Sequence, residues 1–313
     1  MTNENTSQAN DLHEETRRIW DQKAAFWDDR MRDGNDFQRI LIAPACERLL
    51  NLQAGETVLE IACGNGVFSR RMAQLGVHVI ATDFSAQLLE RARARSTEYA
   101  DRIEYHLVDA TREEEIVALL QYLQSGSKKE GQSTVSPAAS QQGTVYQENP
   151  KRSMDSTPDT QRFDAVVCNQ AIMDMTEIDP LMRSIRQVLK PGGRFVFSLP
   201  HPCFNNTGMT FNFDASTING EYVMTYSVKI TRYLHPSVQK AVGMIGEPAP
   251  HYYFDRPLHI LFNACFRAGL VLDGLEEPAF NHPDDGSQVN RLLSWANYRE
   301  IPPVLVARLR VAN

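Results

Sequence analysis

The chain has 313 residues, of which 42% are hydrophobic and 23% are charged, with a formal net charge of -7 at pH 7. This composition is typical of a globular protein with a buried core, and the negative charge argues against a nucleic-acid partner. The sequence contains no apolar run long enough to span a membrane, no N-terminal secretory signal, and no CxxC pair or Cys/His cluster that would indicate a metal site. We therefore expect a cytoplasmic protein with reduced cysteines, no metal and no membrane or nucleic-acid partner.

The N-terminal part of the chain is predicted to be a helical cap. Residues 1–12 are polar and are expected to be a disordered tail, whereas residues 13–50 have a helical pattern. Trp20 and Trp27 lie seven residues apart on one face of this helix. Two roles are open for them: packing into the core, or roofing a ligand pocket, in which case Trp27 would contact the substrate.

Residues 51–313 are predicted to form one α/β domain, because short apolar runs alternate with amphipathic stretches. The predicted strands are Thr57–Ala62, Val77–Thr82, Ile103–Val108, Phe163–Asn169, Arg194–Leu199, Leu270–Leu275 and Val304–Val311. The predicted helices are Val67–Leu75, Ala86–Ser96, Arg112–Gln124, Ile178–Leu189 and a helix between Pro257 and Gly269. Right-handed crossovers bring the C-terminal ends of the parallel strands to one edge, where ligands bind.

Two segments interrupt this alternation. Residues 125–161 are rich in Ser, Gln, Thr, Gly and Pro, and we expect a disordered surface insertion there. Residues 200–256 are rich in aromatic residues and follow the fifth strand at the ligand edge. This position favours a lid or substrate-binding insertion, and a packed structural subdomain is the alternative.

The motif VLEIACGNGVF at Val58–Phe68 joins a predicted strand to a predicted helix. Gly64 and Gly66 let the backbone approach a ligand closely, because a Cβ atom would intrude there. A dinucleotide-binding loop has the spacing GxGxxG, but Ser69 replaces the third glycine and Glu60 would repel a pyrophosphate. The loop therefore favours a ligand that carries positive charge.

Two further acids end the next two predicted strands. Asp83 lies about 20 residues after the loop, where an acid can accept hydrogen bonds from both ribose hydroxyls. Asp109 lies at the same edge and could accept a hydrogen bond from an exocyclic amine such as that of adenine. Because each acid also precedes a predicted helix, N-capping is the alternative role for both.

Together these motifs resemble those of the class I S-adenosylmethionine-dependent methyltransferases. The ExGxGxG motif of that family is EIACGNG at residues 60–66, with alanine in place of the first glycine. The next two acids of the family match Asp83 in ATDFS and Asp109 in VDAT. The resemblance covers residues 55–123 and 162–311.

The resemblance implies a Rossmann-like, doubly wound sheet of seven strands, mostly parallel with the last strand antiparallel, and helices on both faces. It also implies S-adenosyl-L-methionine as the cofactor. The implied contacts are Glu60, Ala62, Gly64 and Gly66 around the methionine part, Asp83 at the ribose, Phe84 beside the adenine, Asp109 and Ala110 at the adenine, and Asn169 and Gln170 near the amino-acid end and the transferred methyl group.

Candidate bases for the acceptor follow the two central strands. His201 follows the fifth strand in SLPHPCF, and Asp174 follows the fourth in NQAIMDM. A base is needed only if the acceptor must lose a proton before it is methylated. The alternatives are a structural histidine in front of a proline and an ordinary loop acid.

The segment HYYFDRP lies between the predicted lid and the next helix. It contains His251, Tyr252, Tyr253 and Arg256. Because related small-molecule methyltransferases often have a similar stretch over the acceptor, the resemblance implies that these residues contact the substrate.

We therefore predict methyl transfer to the oxygen or nitrogen of a small, apolar or aromatic acceptor, by a monomer or a homodimer. One alternative is a nicotinamide-dependent oxidoreductase on a related sheet, against which Glu60 and the missing third glycine count. Another is a non-catalytic protein that retains the cofactor site. Nucleic-acid or protein methylation is disfavoured, because no basic stripe is visible and NQAI stands where a base-flipping motif would be.

Overall fold

The structure is a computed structural model that describes residues 3–125, 162–280 and 294–312, with side chains from residue 11 onwards. Apart from Ser125, the insertion predicted at 125–161 lies outside the described residues. Among the described helices, none has the length and apolar character needed to cross a membrane.

The N-terminal region is helical. Helix α1 spans Asn3–Met31, a π-helical turn follows at Phe37–Ile42, and helix α2 spans Ala43–Leu50. Residues 3–12, which the sequence predicts to be a disordered tail, are therefore part of a helix. The physical reason is that no glycine or proline interrupts the chain between Asn3 and Met31, so the helix continues outward from its packed part.

The rest of the described chain alternates between strands and helices. The strands are β1 (Thr57–Ile61), β2 (His78–Asp83), β3 (Ile103–Leu107), β4 (Phe163–Asn169), β5 (Leu189–Pro200), β6 (Met209–Ile218), β7 (Glu221–Ile230), β8 (Ser237–Ala241), β9 (His251–Asp255), β10 (Leu270–Glu276) and β11 (Val304–Val311). The remaining α-helices are α3 (Val67–Gln74), α4 (Ala86–Arg95), α5 (Glu113–Gln124), α6 (Asp179–Val188) and α7 (Leu258–Arg267).

Seven strands form one sheet in the order β10-β11-β5-β4-β1-β2-β3. Strand β11 is antiparallel to both of its neighbours, and the other pairs are parallel. The predicted seven-stranded, mostly parallel sheet with an antiparallel last strand is thus confirmed. The register places Ile61, the last residue of β1, between Thr82 and Cys168. Asp83 and Asn169, each one residue further on, therefore end their strands on either side of the loop after β1.

Helices cover both faces of the sheet. Helices α5, α6 and α7 pack on the face that includes Leu59 and Phe197. Helices α2, α3 and α4 pack on the opposite face, which includes Val58 and Val167. Successive residues of a strand point to opposite faces, so the apolar runs of β1 and β4 fill both layers at once.

The segment between β5 and α7 forms two antiparallel hairpins, β6–β7 and β8–β9. Strand β9 contacts helix α1 and the short 3-10 turn at Ile172–Asp174 that follows β4. This contact brings the second hairpin to the C-terminal edge of the sheet, where the predicted lid would lie.

Candidate active site

A cavity of about 540 Å³ lies at the C-terminal edge of the sheet, under α1 and the second hairpin. This volume falls within the range of about 300–1,000 Å³ that is typical of small-molecule sites. The predicted site residues that line it are Trp27, Glu60, Ala62, Gly64, Asp83, Phe84, Asp109, Ala110, Asn169, Gln170, Asp174, Tyr253 and Arg256. Gly66, His201 and Tyr252 were also predicted, but they lie outside the lining.

The loop after β1 turns sharply because three of its residues adopt left-handed backbone conformations. The φ angles are +54° at Ala62, +57° at Gly64 and +74° at Gly66. Gly66 faces away from the cavity, and a Cβ atom on it would clash with the Tyr105 hydroxyl. Gly66 therefore permits packing of helix α3, whereas Ala62 and Gly64 lie on the cavity wall.

Glu60 is buried beneath this loop, with 2% of the residue exposed. Ser69 Oγ donates a hydrogen bond to its carboxylate. Burial raises the pKa of Glu60 to about 8, and the Ser69 hydrogen bond and the Arg70 charge only partly offset this effect. A cationic ligand in the cavity would favour the ionised form of this carboxylate.

Asp83 is held by backbone amides. Its Oδ2 accepts a hydrogen bond from the Gly64 N–H at 2.9 Å, and its Oδ1 accepts one from the Ser85 N–H at 2.9 Å. Burial nevertheless raises the pKa of Asp83 to about 6. Ser85, rather than Asp83, caps helix α4, since its hydroxyl accepts the Leu88 N–H. The alternative role considered for Asp83, capping of this helix, is therefore filled by Ser85.

Asp109 follows β3 and is contacted by the N-terminal helix. His13 Nε2 lies 2.6 Å from Asp109 Oδ2, and Thr111 donates two hydrogen bonds to Oδ1. Burial opposes ionisation, but the hydrogen bonds from His13 and Thr111 outweigh it and lower the pKa of Asp109. Helix α5 has Arg112 at its N-cap, so Asp109 is not the capping residue either.

Asn169 and Gln170 follow β4 on the other side of the loop. Asn169 Oδ1 accepts a hydrogen bond from Ser198 Oγ at 3.0 Å. Asn169 Nδ2 is buried and has no hydrogen-bond partner within the described part of the chain. Asn169 also lines the cavity, so a small rotation of its side chain would let this amide donate to an anionic group there. Gln170 has a φ angle of +51°, which turns the chain from the strand into the cavity wall.

Asp174 lies on the cavity wall in the turn after β4, with 10% of its side chain exposed. Its Oδ1 is buried and makes no hydrogen bond to the described residues. Burial raises the pKa of Asp174 well above its ordinary value, and the positive charge of Lys23 opposes this effect.

His201 is buried beside the cavity. Its Nε2 lies 2.8 Å from Glu277 Oε1, and its Nδ1 accepts a hydrogen bond from the Cys203 N–H at 3.1 Å. Burial lowers the pKa of His201, although Glu277 favours the charged form. Both ring nitrogens are engaged, so this conformation does not favour the predicted base role.

Some side chains of the HYYFDRP segment line the cavity, and others contact the elements that form its wall. Tyr253 lines the cavity, whereas the Tyr252 hydroxyl donates to Glu15 on helix α1 at 2.7 Å. Arg256 lies on the wall, but its guanidinium donates to the backbone carbonyls of Ile172, Phe254, Met175 and Thr176. These contacts tie the end of the hairpin to the turn after β4, and they use donors that a substrate would otherwise meet.

Helix α1 forms the roof of the cavity. Trp20 and Trp27 both line it, with their ring centroids 5.0 Å apart in an edge-to-face arrangement. Both tryptophans thus lie in the roof of the cavity, and Trp20 also packs in a buried cluster with Ala24 and Leu88.

The family model described as a methyltransferase domain matches residues 36–231, which is more than half of the chain. The chain belongs to this methyltransferase family. The resemblance predicted from the motifs is confirmed, and so is the expected enzyme class, an S-adenosylmethionine-dependent methyltransferase. Membership of this family also removes the nicotinamide-dependent oxidoreductase as an alternative.

Relatives of the methyltransferase include two ubiquinone biosynthesis O-methyltransferases. The protein from Xanthomonas axonopodis pv. citri (strain 306) is 25% identical over 188 residues, which are 60% of this chain and 59% of that protein. The protein from Xanthomonas campestris pv. campestris (strain B100) is 25% identical over 210 residues, which are 62% of this chain and 68% of that protein. The chain thus spans about three fifths of the length of the first of these relatives.

Solved structures support the fold. A structure of an S-adenosylmethionine dependent methyltransferase from Mesorhizobium loti has a TM-score of 0.55 and 22% identity, and the match covers 85% of this chain and 96% of that one. A putative S-adenosylmethionine dependent methyltransferase from Listeria monocytogenes has a TM-score of 0.52 and 18% identity, with 87% and 100% covered. At these identities the similarity shows the architecture of the methyltransferase.

Three residues at or beside the cavity are not among the candidates predicted from the sequence: His13, which lines it, and Lys23 and Glu247, which contact the lining residue His251. For Lys23 a signal exists, because it lies three residues after Trp20 and four before Trp27, on the same helical face. A lysine between two tryptophans on an apolar face is unusual, so this pattern could have identified Lys23 as a candidate. His13 has no such local signal, since its partner Asp109 lies 96 residues away.

Proposed function

We propose that this methyltransferase transfers the methyl group of S-adenosylmethionine to a hydroxyl oxygen of a small aromatic acceptor. The observation that carries the proposal is the carboxylate of Asp174 on the wall of the cavity that also contains the glycine loop. It is nearly buried, and its Oδ1 accepts no hydrogen bond from the described residues. Such a group can take a proton from a bound hydroxyl. The relatives named as O-methyltransferases support transfer to oxygen.

The cavity wall offers a suitable group for each part of the cofactor. Glu60 favours the positive charges of the sulfonium and the ammonium. The Asn169 amide, which has no hydrogen-bond partner among the described residues, would donate to the carboxylate once turned toward the cavity. Asp83 retains lone pairs for the ribose hydroxyls, since each of its oxygens accepts one backbone hydrogen bond. Phe84 and Asp109 would lie beside the adenine.

S-adenosylmethionine supplies an electrophilic methyl group on a positively charged sulfur. The acceptor oxygen gains the methyl carbon, its proton passes to Asp174, and the electron pair of the broken C–S bond stays on sulfur. The protein mainly orients the two reactants and excludes water, which α1 and the second hairpin can do because they cover the cavity. In this proposal Asp174 takes the role of base, and the base role of His201 stays a prediction.

The aromatic lining favours an aromatic acceptor. Trp20, Trp27, Tyr233 and Tyr253 all lie on the cavity wall. Flat apolar rings stack on such side chains or meet them edge to face.

The proposal is tested by measuring release of S-adenosylhomocysteine with paired acceptors that differ only in the nucleophile. Catechol and phenol present oxygen, whereas 1,2-diaminobenzene and aniline present nitrogen on the same ring. We expect turnover with the oxygen acceptors and methylation at oxygen in the product. Turnover restricted to the amines would overturn the assignment to oxygen, and no turnover with any of the four would overturn the aromatic acceptor class.

A further inference from the structure

Four ionisable side chains from three parts of the chain meet beside the cavity, where Asp174 forms part of its wall. Lys23 Nζ, on helix α1, lies 2.6 Å from His251 Nδ1 and 3.6 Å from Glu247 Oε2, both on the second hairpin. His251 Nε2 faces Asp174, at 3.8 Å from Oδ1. We call Lys23, Asp174, Glu247 and His251 the charge cluster.

The charge cluster is almost completely buried. The side chains of Lys23 and Glu247 are 0% exposed, that of His251 is 2% exposed and that of Asp174 is 10% exposed. Burying ionisable groups is costly even when they are paired, and apolar residues of similar volume would stabilise the fold at least as well. Stability therefore does not account for the cluster, which indicates a role in the chemistry of the cavity.

The contacts fix the orientation of His251. An ammonium group only donates hydrogen bonds, so the short contact with Lys23 makes Nδ1 the acceptor and leaves the ring proton on Nε2. This contact is shorter than the 3.4 Å between Nδ1 and Glu247 Oε2, so it sets the tautomer. The Nε2–H then faces Asp174, but 3.8 Å is too long for a hydrogen bond. His251 consequently does not hydrogen-bond to the Asp174 carboxylate, which stays able to take a proton from an acceptor.

The ring of Trp20 and the hairpin loop hold the cluster in place. Lys23 Nζ lies 3.7 Å from the centroid of Trp20. Glu247 accepts hydrogen bonds from the backbone N–H groups of Gly243 and Met244. Lys23 is thus fixed by the helix and Glu247 by the hairpin, and their charges are set around Asp174 only when both elements are in contact.

The charges act on Asp174 in opposite directions. Burial raises the pKa of Asp174, the charge of Lys23 lowers it, and the charge of Glu247 raises it. The other titratable groups facing it are His251 and Tyr253 from the second hairpin and Cys168 from β4.

We propose that Lys23, Glu247 and His251 are positioning residues that hold Asp174 ready for the acceptor proton, so that the base is complete only when helix α1 and the second hairpin meet. The inference rests on the proposed role of Asp174 as the base. It assigns to α1 and the hairpin, besides their covering role, the task of assembling the reactive group.

The test compares two variants that remove opposite charges, Lys23→Met and Glu247→Gln. The full-length protein is saturated with S-adenosylhomocysteine, and the aspartate carboxyl carbons are labelled with ¹³C. The Asp174 resonance is assigned as the one missing from Asp174→Asn, and its titration midpoint is measured by NMR. We expect the midpoint to move up by about one pH unit in Lys23→Met and down by about as much in Glu247→Gln.

Matched variants separate charge from structure. Lys23→Arg keeps the charge and should restore the wild-type midpoint. Lys240→Met removes an exposed lysine of the same hairpin, which pairs with Glu15, and should leave the midpoint unchanged. If Lys23→Met does not fold, as judged by thermal unfolding, the downward shift in Glu247→Gln together with the Lys240→Met control still decides the question.

Midpoints that move in the same direction, or not at all, in folded Lys23→Met and Glu247→Gln would overturn the inference. Failure of the proposed function is recognised separately. Full turnover of Asp174→Asn with an acceptor that the wild type methylates would remove the base, whatever the titration shows. Opposite shifts of the acid limb of the kcat–pH profile with that acceptor would support both.

Discussion

The carboxylates in the two halves of the cavity differ in what holds them. Asp83, in the half proposed to bind the cofactor (the cofactor half), is held by backbone N–H groups of the glycine loop and of the start of α4, which carry no titratable charge. Asp174, in the half proposed to bind the acceptor (the acceptor half), accepts no hydrogen bond on Oδ1 from the described residues and is acted on by the charges of Lys23 and Glu247. Asp83 is therefore held by the sheet and the loops that follow its strands, whereas the charges around Asp174 depend on contact between separate elements.

The largest effect should come from the acceptor half. Asp174→Asn removes the proposed base while keeping its size, and we expect kcat to fall by about 10²–10⁴-fold. The dissociation constant of S-adenosylmethionine should not change, because Asp174 belongs to the other half.

The matched control is Asp179→Asn, the same substitution at the start of α6, where the carboxylate pairs with Arg267 on the surface. Steady-state kinetics and calorimetric titration check both variants. A loss of cofactor affinity in Asp174→Asn equal to its loss in kcat would contradict the division into halves.

The next effect should come from the cofactor half. Asp83→Ala leaves two ribose hydroxyls without an acceptor, and we expect binding of S-adenosylmethionine to weaken by about 1–3 kcal/mol. Asp101→Ala, at an exposed acid before β3, is the control and should bind normally. Calorimetry measures both affinities, and unchanged affinity in Asp83→Ala would end the ribose assignment.

The raised pKa of Glu60 predicts that the affinity for S-adenosylmethionine depends on pH. Its pKa is raised to about 8 by burial, so it is mostly protonated at pH 7 in the free protein. A cationic ligand favours the ionised form, so binding at pH 7 must release a proton, and this requirement disappears above pH 8.

The affinity for S-adenosylmethionine should therefore rise from pH 7 to pH 9 by about tenfold more in the wild type than in Glu60→Gln. Calorimetry in two buffers with different ionisation enthalpies measures the released proton directly. Equal proton release by wild type and Glu60→Gln would show that Glu60 does not sense the ligand charge.

The smallest effect concerns the loop itself. Ala62 adopts a left-handed conformation at φ +54°, which disfavours any residue with a Cβ atom. We expect Ala62→Gly to relieve about 1 kcal/mol of backbone strain in the folded protein and so to raise the free energy of unfolding. The larger conformational entropy of glycine in the unfolded chain offsets part of this gain. Asn51→Gly, at φ +45° after α2 and outside the cavity lining, is the comparison. Urea unfolding that shows destabilisation by Ala62→Gly would indicate that the Cβ atom of Ala62 makes a packing contact that outweighs the strain.

The cofactor half could be predicted from the sequence because its residues follow strands whose order is fixed by the parallel sheet. Glu60 lies within a predicted strand, and Asp83 and Asp109 each follow one directly. The sequence does not predict the hydrogen bond from the Gly64 N–H to Asp83 or the one from Ser69 to Glu60, but it does predict the place of these acids at one edge of the sheet.

The acceptor half could be predicted only in part. Asp174 follows a strand and was predicted, but Lys23 and His251 are separated by 228 residues and meet only because α1 folds over the sheet. His201 was predicted from its place after β5, yet it is turned toward Glu277. A position after a strand fixes where the backbone is, and it does not fix which way a side chain in an irregular segment points.

The segment that forms the two hairpins begins at the end of β5 and ends at the start of α7. Neither of the described hairpins pairs with the seven-stranded sheet, so their length and side chains can change while the register of the seven strands stays intact. If this segment contacts the acceptor as proposed, we expect its exchange between related enzymes to change the acceptor specificity on an unchanged cofactor site. Such a graft would have to carry Glu247 and His251 with it, since the recipient supplies only Lys23 and Asp174.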